Sequence, residues 1–508
     1  IMGSEGYLIN QFIASRTNHR TDDYGGSYTN RIRFPLEIVK EVRREVGKDF
    51  IIIFRLSMLD LVEKGSSWPE ILELAHGLED AGVTIINTGI GWHEARVPTI
   101  ATSVPRGAYS WVTAKLKSEV RVPLVTSNRI NTPQIAEDIL SAGSADMVSM
   151  ARPFLADAEI VNKAKEGRED EINTCIACNQ ACLDHAFQNK RASCLVNPRA
   201  CHETELIITD TQQPQKIAVV GAGPAGLSFA CTAAERGHHV TLFEASAEIG
   251  GQFNMAKQIP GKEEFHETIR WFTTRLKKST VDLKLNTRVD EQELKAGGFD
   301  HIILATGVLP RDIKLPGVEH PKVLNYIDVL RHKKDVGENI AIIGAGGIGF
   351  DVAEYLSHTE ATSLPNYLKE WGIDQQMEQR GGLLPQGESS PSPRNIAMFQ
   401  RSKGKMGGKL GKTTGWIHRA SLKKKKVSMI TGVQYQKIDD EGLHYTIDDT
   451  PHIFPADNVI ICAGQVPFRD LQSKLGTQSV HLIGGADVAA ELDAKRAIDQ
   501  GTRLAASL

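Results

Sequence analysis

Long apolar stretches are missing from this chain of 508 residues. None approaches the ~18 residues of a membrane-spanning helix, so no membrane partner is expected. A surplus of one charge is missing too. The 59 basic residues stand against 62 acidic ones, which leaves no reason to expect nucleic acid as a partner. The first residues hold no basic segment followed by an apolar core, and no signal peptide is expected. Cysteine is scarce: seven in the whole chain is too few for a secreted disulfide framework. A cytoplasmic location is therefore expected. What cysteine there is clusters, with five of the seven between Cys175 and Cys201, the distribution of a metal site. Apolar residues at 41% and charged residues at 24% mark an ordinary globular chain, long enough for about three domains at roughly 150 residues each.

Residues 1–165 alternate apolar strands with amphipathic helices. The strand candidates are 50–58 (FIIIFRLSM), 83–89, 122–127 and 145–151. Between them lie helices such as 68–81, with Ile71, Leu74, Leu78 and Ala81 at helical spacing. Continuous apolar strands separated by helices predict parallel strands covered by helices. Four complete strand–helix units and a stump at residues 1–3 predict an α/β fold that begins with the C-terminal part of a (β/α)8 TIM barrel. The chain opens on Ile1 at the tail of a strand, so earlier barrel strands are expected to precede it.

Residues 166–215 lose that rhythm, hold the clustered cysteines and end in a linker, TDTQQPQ. A second α/β region follows, with two glycine-rich turns, one nested inside the fold of the other. The expected boundaries are 216–335 with 456–508 for the outer domain and 336–455 for the inner one. Residues 364–393 weaken the pattern and read as an excursion between a helix and a strand at 395–399.

Cys175-x2-Cys178-x3-Cys182-x11-Cys194 offers four thiolates. Three within eight residues can wrap one corner of a cluster and a fourth can close it, which suits a 4Fe–4S cluster. A zinc staple is the alternative. Cys201 reads as a buried neighbour; Cys231 and Cys462 read as core residues.

The strand KIAVV leads into Gly221-Ala222-Gly223-Pro224-Ala225-Gly226, then a helix, then a strand ending in Glu244. A strand, a GxGxxG turn and a helix N-terminus bind a pyrophosphate, and the later acid accepts from a ribose. Gly250-Gly251-Gln252 extends the FAD form of this pattern. The strand NIAII leads into Gly344-Ala345-Gly346-Gly347-Ile348-Gly349, and its next strand runs to Arg401 and Lys403 in place of an acid. Basic groups there suit the 2′-phosphate of NADPH. Ala305, in IILATG, and Asp487, in HLIGGADVA, complete the FAD set, with Asp487 placed to accept from a ribityl chain.

In the first region, Tyr7, Arg55, His93, Arg129 and Arg152 are expected to project from one face, at the ends of parallel strands where barrel enzymes place their chemistry. Arg55 suits the electron-rich edge of a reduced flavin. Arg129, Arg152 and the backbone at Ala151 suit a phosphate. Tyr7 and His93 form a proton donor and its hydrogen-bonding partner.

The order of these features, with the stretches GSEGYLINQFIASRTNHRTDDYGGSYTNR, NTGIGWHEARVPTIAT, CIACNQACLDH, CLVNPRAC and GKTTGWIHR, resembles the bacterial 2,4-dienoyl-CoA reductases, relatives of trimethylamine dehydrogenase and the old yellow enzymes. The resemblance implies NADPH-dependent reduction of 2,4-dienoyl-CoA to trans-2-enoyl-CoA in β-oxidation of unsaturated fatty acids. Electrons would pass from NADPH to FAD, to the 4Fe–4S cluster, to FMN and on to substrate. It implies Tyr7 as the acid, with His93 assisting. It implies Arg55, Arg129, Ala151 and Arg152 around FMN, and Cys175, Cys178, Cys182 and Cys194 as cluster ligands. Arg16, His93, Glu94, Ala95 and Arg96 would line the acyl-CoA site. A related enone or enoate reductase, or an amine dehydrogenase of the same layout, is the alternative. The oligomeric state is left open, with a monomer allowed.

Overall fold

The computed structural model describes residues 1–359, 362–476, 479–489 and 493–508. They form two compact units, 1–154 with 361–389, and 155–360 with 390–508.

The first unit is built on a parallel sheet of β1 (Met2–Gly3), β2 (Ile53–Leu59), β3 (Ile85–Ile90), β4 (Leu124–Thr126) and β5 (Met147–Val148). Each strand lies beside the one before it, the order of a TIM barrel. Alternation along β2 buries Phe54, Leu56 and Met58 completely and turns Arg55 and Ser57 to the other face. The helix Trp68–Asp80 follows from its sequence. The Ser67 amide donates to the Glu70 carboxylate at 2.9 Å, closing a capping box, and Ile71, Leu74, Ala75 and Leu78 are buried on one stripe.

The excursion belongs to this unit. Ser363 caps a helix, Leu364–Trp371, by accepting from the Asn366 amide. Gly372, at φ 66°, ends that helix. Its apolar face, Tyr367, Leu368 and Trp371, is buried. The Tyr367 hydroxyl lies 2.6 Å from that of Tyr109 and donates to the Pro98 carbonyl. Gly381 bonds both sides of the loop after β2: its amide donates to the Ser66 carbonyl and its carbonyl accepts from the Leu61 amide, each at 2.8 Å.

The second unit holds two five-stranded parallel sheets. In the first, Lys216–Val220 lies between His239–Phe243 and His301–Leu304, with Asp282–Lys284 and Val480–Leu482 outside. In the second, Asn339–Ile343 lies between Asn395–Gln400 and Asn458–Ile461, with Ser428–Thr431 and Val323–Asn325 outside. Two of these strands, Val323–Asn325 and Asn458–Ile461, fall outside the expected limits of 336 and 455. Hydrogen-bond pairing across the sheet, which local composition does not report, moves the inner boundaries outward. The cysteine segment packs on the first sheet, with Cys175, Ile176, Leu195 and Val196 sharing a core with Ile217 and Val219. Among the described residues no helix is long and apolar enough to cross a membrane.

Candidate active site

Tyr7 stands at the start of the helix Leu8–Ile13, just past a turn at Gly6 with φ 82°. His93 follows β3. The Tyr7 hydroxyl and His93 Nε2 are 2.9 Å apart, with the rings edge-on at 5.2 Å. Tyr7 is 49% exposed and His93 is exposed, so a substrate can reach both. The expected pair is in contact.

Arg55 is oriented from three sides. Its Nε donates to Glu5 Oε1 at 2.8 Å, and its other nitrogens reach Asn87 Oδ1 and Ser127 Oγ. Glu5, Asn87 and Ser127 escaped the sequence reading. The available signal was the position of Glu5 two residues before Tyr7, of Asn87 within β3 and of Ser127 just past β4.

The other barrel residues divide. Arg129 is only 5% exposed, and its Nε donates to the Val104 carbonyl at 2.8 Å. It does not stand on an open face with Tyr7 and His93. The chain turns sharply there, with Asn128 at φ 73° and Arg129 at φ 57°, which carries the side chain inward. Arg152 is half-buried at the start of the helix Arg152–Ala156, and Ala151 is exposed beside it. Arg16, Glu94 and Arg96 are exposed, with Arg16 reaching the Glu63 carbonyl at 3.4 Å. Ala95 is buried.

In the second unit the four cysteines converge. Left-handed residues at Ala177 (φ 52°) and Asn179 (φ 62°) curl the chain between them. The Ser193 amide, donating to the Ala181 carbonyl at 2.8 Å, brings Cys194 against the curl. Burial, then the nearby Cys194, Cys182 and Cys175 thiols, hold the Cys178 thiol well above its usual range. Burial, then Cys175, pushes Cys194 up to about 12. Thiols that oppose one another's ionisation are a donor set that suits a cationic centre. Asp184, just after Cys182, accepts from the Thr413 amide at 2.8 Å and from its hydroxyl at 2.6 Å, which gives the GKTTG stretch a place beside the cysteines. Cys231 and Cys462 are buried as expected. Cys201, expected to be buried, is partly exposed; its left-handed backbone, φ 62°, turns the chain at that point.

Both glycine turns have the expected form. A Cβ at Gly226 would stand 1.9 Å from the Gly221 carbonyl oxygen, and one at Gly349 would stand 2.0 Å from that of Gly344. Only glycine permits this closeness of turn and helix. A Cβ at Gly346, at the second helix N-terminus, would meet nothing within 4 Å, and one at Gly223, at the first, would meet only the Gly251 Cα at 4.0 Å, which leaves room for a pyrophosphate at each turn. Gly251 backs onto Gly223, and Gln252 starts a short helix beside it. Ala225 is buried behind the turn, as is Ala305, whose carbonyl presses on Gly221. Glu244 accepts from the Ala222 and Ser246 amides, each at 2.8 Å. Asp487 accepts from Gln500 at 2.9 Å. Arg401 and Lys403 are exposed past the strand Asn395–Gln400, and Lys403 pairs with Asp448 at 2.6 Å.

Residues 1–171 match the NADH:flavin oxidoreductase / NADH oxidase family. Residues 201–490 match the pyridine nucleotide-disulphide oxidoreductases. A metal reductase of Desulforamulus reducens is 38% identical over 94% of this chain and 71% of its own length. The chain belongs to this two-part flavin oxidoreductase family. A cinnamate reductase of Clostridium sporogenes is 31% identical over 95% of the chain and 70% of its own. The solved structure of a 2-naphthoyl-CoA reductase with 2-naphthoyl-CoA superposes with a TM-score of 0.89 at 30% identity, over 100% of this chain and 73% of that one. The flavin oxidoreductase thus carries an FMN-type barrel region and an FAD- and nicotinamide-binding region, and it is an oxidoreductase.

Proposed function

We propose that this flavin oxidoreductase reduces 2,4-dienoyl thioesters of coenzyme A to trans-2-enoyl thioesters with NADPH, in the cytoplasm, as a step of unsaturated fatty-acid β-oxidation. The observation that carries the reading is the solvent-reachable Tyr7–His93 contact at 2.9 Å, on the unit whose sequence matches the FMN family. The likeness to a reductase of an aromatic CoA thioester supports the thioester class.

In this reading Arg55, Ala151 and Arg152 hold FMN, and Arg129 fixes the loop after β4 through the Val104 carbonyl. The first turn, with Glu244, Gly251, Gln252, Ala305 and Asp487, holds FAD. The second, with Arg401 and Lys403, holds NADPH. The four cysteines hold a 4Fe–4S cluster. When bound, these groups supply hydride and single-electron transfer. The protein's own share is placement and proton handling. Tyr7 Oη gives a proton to the γ carbon of the thioester dienolate. His93 Nε2, in contact with that oxygen, orients the phenol and can return a proton from solvent, since its ring is exposed. Arg16, Glu94 and Arg96, with the backbone at Ala95, line the approach of the acyl-CoA.

A cluster is favoured over zinc by the cysteine spacing: zinc sites usually pair two CxxC knuckles, whereas Cys175-x2-Cys178-x3-Cys182 followed by the single distant Cys194 suits a 4Fe–4S cluster.

A second reading, reduction of a free enoate, is favoured by the cinnamate reductase likeness. Anaerobic NADPH oxidation with a panel of 2,4-dienoyl-CoA esters, cinnamate and a ferric chelate separates the two. Fastest turnover with a dienoyl-CoA, slowed in Tyr7→Phe, is expected. Turnover of cinnamate with none of any dienoyl-CoA would overturn the thioester reading.

A further inference from the structure

The two loops that present Tyr7 and His93 meet again below the surface, on one buried carboxylate. Asp60, at the end of β2, is 2% exposed. Its Oδ1 accepts from Trp92 Nε1 at 2.8 Å, Ser57 Oγ at 2.7 Å and Asn10 Nδ2 at 3.3 Å. Its Oδ2 accepts from the Ser66 amide at 2.6 Å. Trp92 is the neighbour of His93, and its own amide donates to the Asp60 carbonyl at 3.0 Å. Asn10 lies one turn beyond Tyr7 and accepts from the Gly6 amide at 2.9 Å. The indole also walls the Gly6 turn: a Cβ at Gly6 would stand 3.0 Å from Trp92 Cε3.

We infer that Asp60 is the positioning residue for the Tyr7–His93 pair. The inference rests on the reading of Tyr7 as proton donor. The pair spans 86 residues of sequence and is exposed. Exposed side chains have rotamer freedom, so the 2.9 Å contact has to be imposed by the backbones beneath it. Both backbones are anchored through buried donors, Asn10 at 0% and Trp92 at 6% exposure, that converge on one oxygen. A carboxylate supplies about four acceptor sites, enough for the four donors present; a carboxamide has one acceptor oxygen and would turn an N–H toward one set of them. The charge is met by four hydrogen bonds, the arrangement in which removal of one partner is costly.

The test uses the cofactor-loaded protein, with Asp60→Asn and the milder Trp92→Phe, which keeps a ring beside Gly6 and removes the Nε1 donor. Each is made alone and with Tyr7→Phe. A misplacement of about 1 Å costs about 10²-fold in rate. The expectation is therefore a fall in kcat with dienoyl-CoA of about 10–100-fold, with KM, flavin and iron content, and NADPH oxidation by an artificial acceptor unchanged. In the Tyr7→Phe background neither substitution should lower kcat further, because the donor they position is gone. Losses that add to that of Tyr7→Phe, or a parental kcat in both single variants, overturn the inference. A Tyr7→Phe protein as fast as the parent overturns the proton-donor reading, and this inference with it.

Discussion

The two glycine turns of the second unit are built alike and end differently. In each, the first glycine lies at positive φ, 105° at Gly221 and 112° at Gly344. In each, a carbonyl from the end of the adjacent strand presses on it: a Cβ would meet the Ala305 carbonyl oxygen at 2.6 Å and that of Cys462 at 2.5 Å. The divergence comes one strand later. After His239–Phe243 stands Glu244, whose carboxylate is bonded to the turn itself through the Ala222 amide. After Asn395–Gln400 stand Arg401 and Lys403, both exposed. The shared part answers a steric demand common to every pyrophosphate cradle. On the proposed reading the divergent part answers charge, an acid for ribose hydroxyls and bases for a further phosphate. On that reading turn geometry marks a dinucleotide site, and the strand end selects the dinucleotide.

The largest expected effect asks whether the two turns work as a pair without the cysteines. Cys194→Ala should remove iron and the visible cluster absorbance and abolish thioester reduction. NADPH oxidation by an artificial acceptor should continue near the parental rate. If that activity falls with the cluster, the two turns are not an independent nucleotide pair.

Gly226→Ala and Gly349→Ala test whether equal geometry serves different ligands. Each adds a Cβ about 2 Å from a backbone carbonyl, an overlap the turn can relieve only by shifting. Overpacking of about 1–3 kcal/mol, borne by the ligand-competent turn, corresponds to about 5–150-fold in affinity. Gly226→Ala should lose FAD, measured by chromatography of released flavins. Gly349→Ala should keep FAD and raise the KM for NADPH. Equal loss of FAD from both would erase the distinction.

Arg401→Ala should raise the KM for NADPH about tenfold, the scale of one charge-assisted hydrogen bond, and leave that for NADH nearly unchanged. Equal losses with both nucleotides would remove Arg401 from the phosphate site. Lys403→Ala should do the same more weakly, by about 2–3-fold, because Lys403 is shared with Asp448 in an exposed pair of small net worth. Steady-state kinetics with the two nucleotides compares them directly. A larger effect at Lys403 than at Arg401 would reverse the order inferred from the pairing.

Much of this was legible in the sequence because it is local. The strands of both units, the glycine turns with their following acid or bases, and the four-cysteine spacing rest on short stretches of chain, where periodicity and φ preferences act directly. The pair Tyr7–His93 was reachable because both stand near strand ends, where barrel topology gathers side chains. Arg129 shows the limit of that reasoning. Its position after β4 follows from the strand pattern, but a left-handed turn at Asn128 and Arg129 sends its side chain to the Val104 carbonyl.

The sequence by itself determined which segments form strands and helices, where backbone must be glycine, and which residue types stand at the ends of the strands. Only the tertiary structure decided which distant residues share a bond. Asp60 meets Asn10 across 50 residues and Trp92 across 32. Tyr367 meets Tyr109 across 258, which turns an apparent loop excursion into a brace on the barrel unit. The reason is physical: a buried carboxylate or hydroxyl must find a partner wherever packing places one, and sequence separation does not enter that requirement.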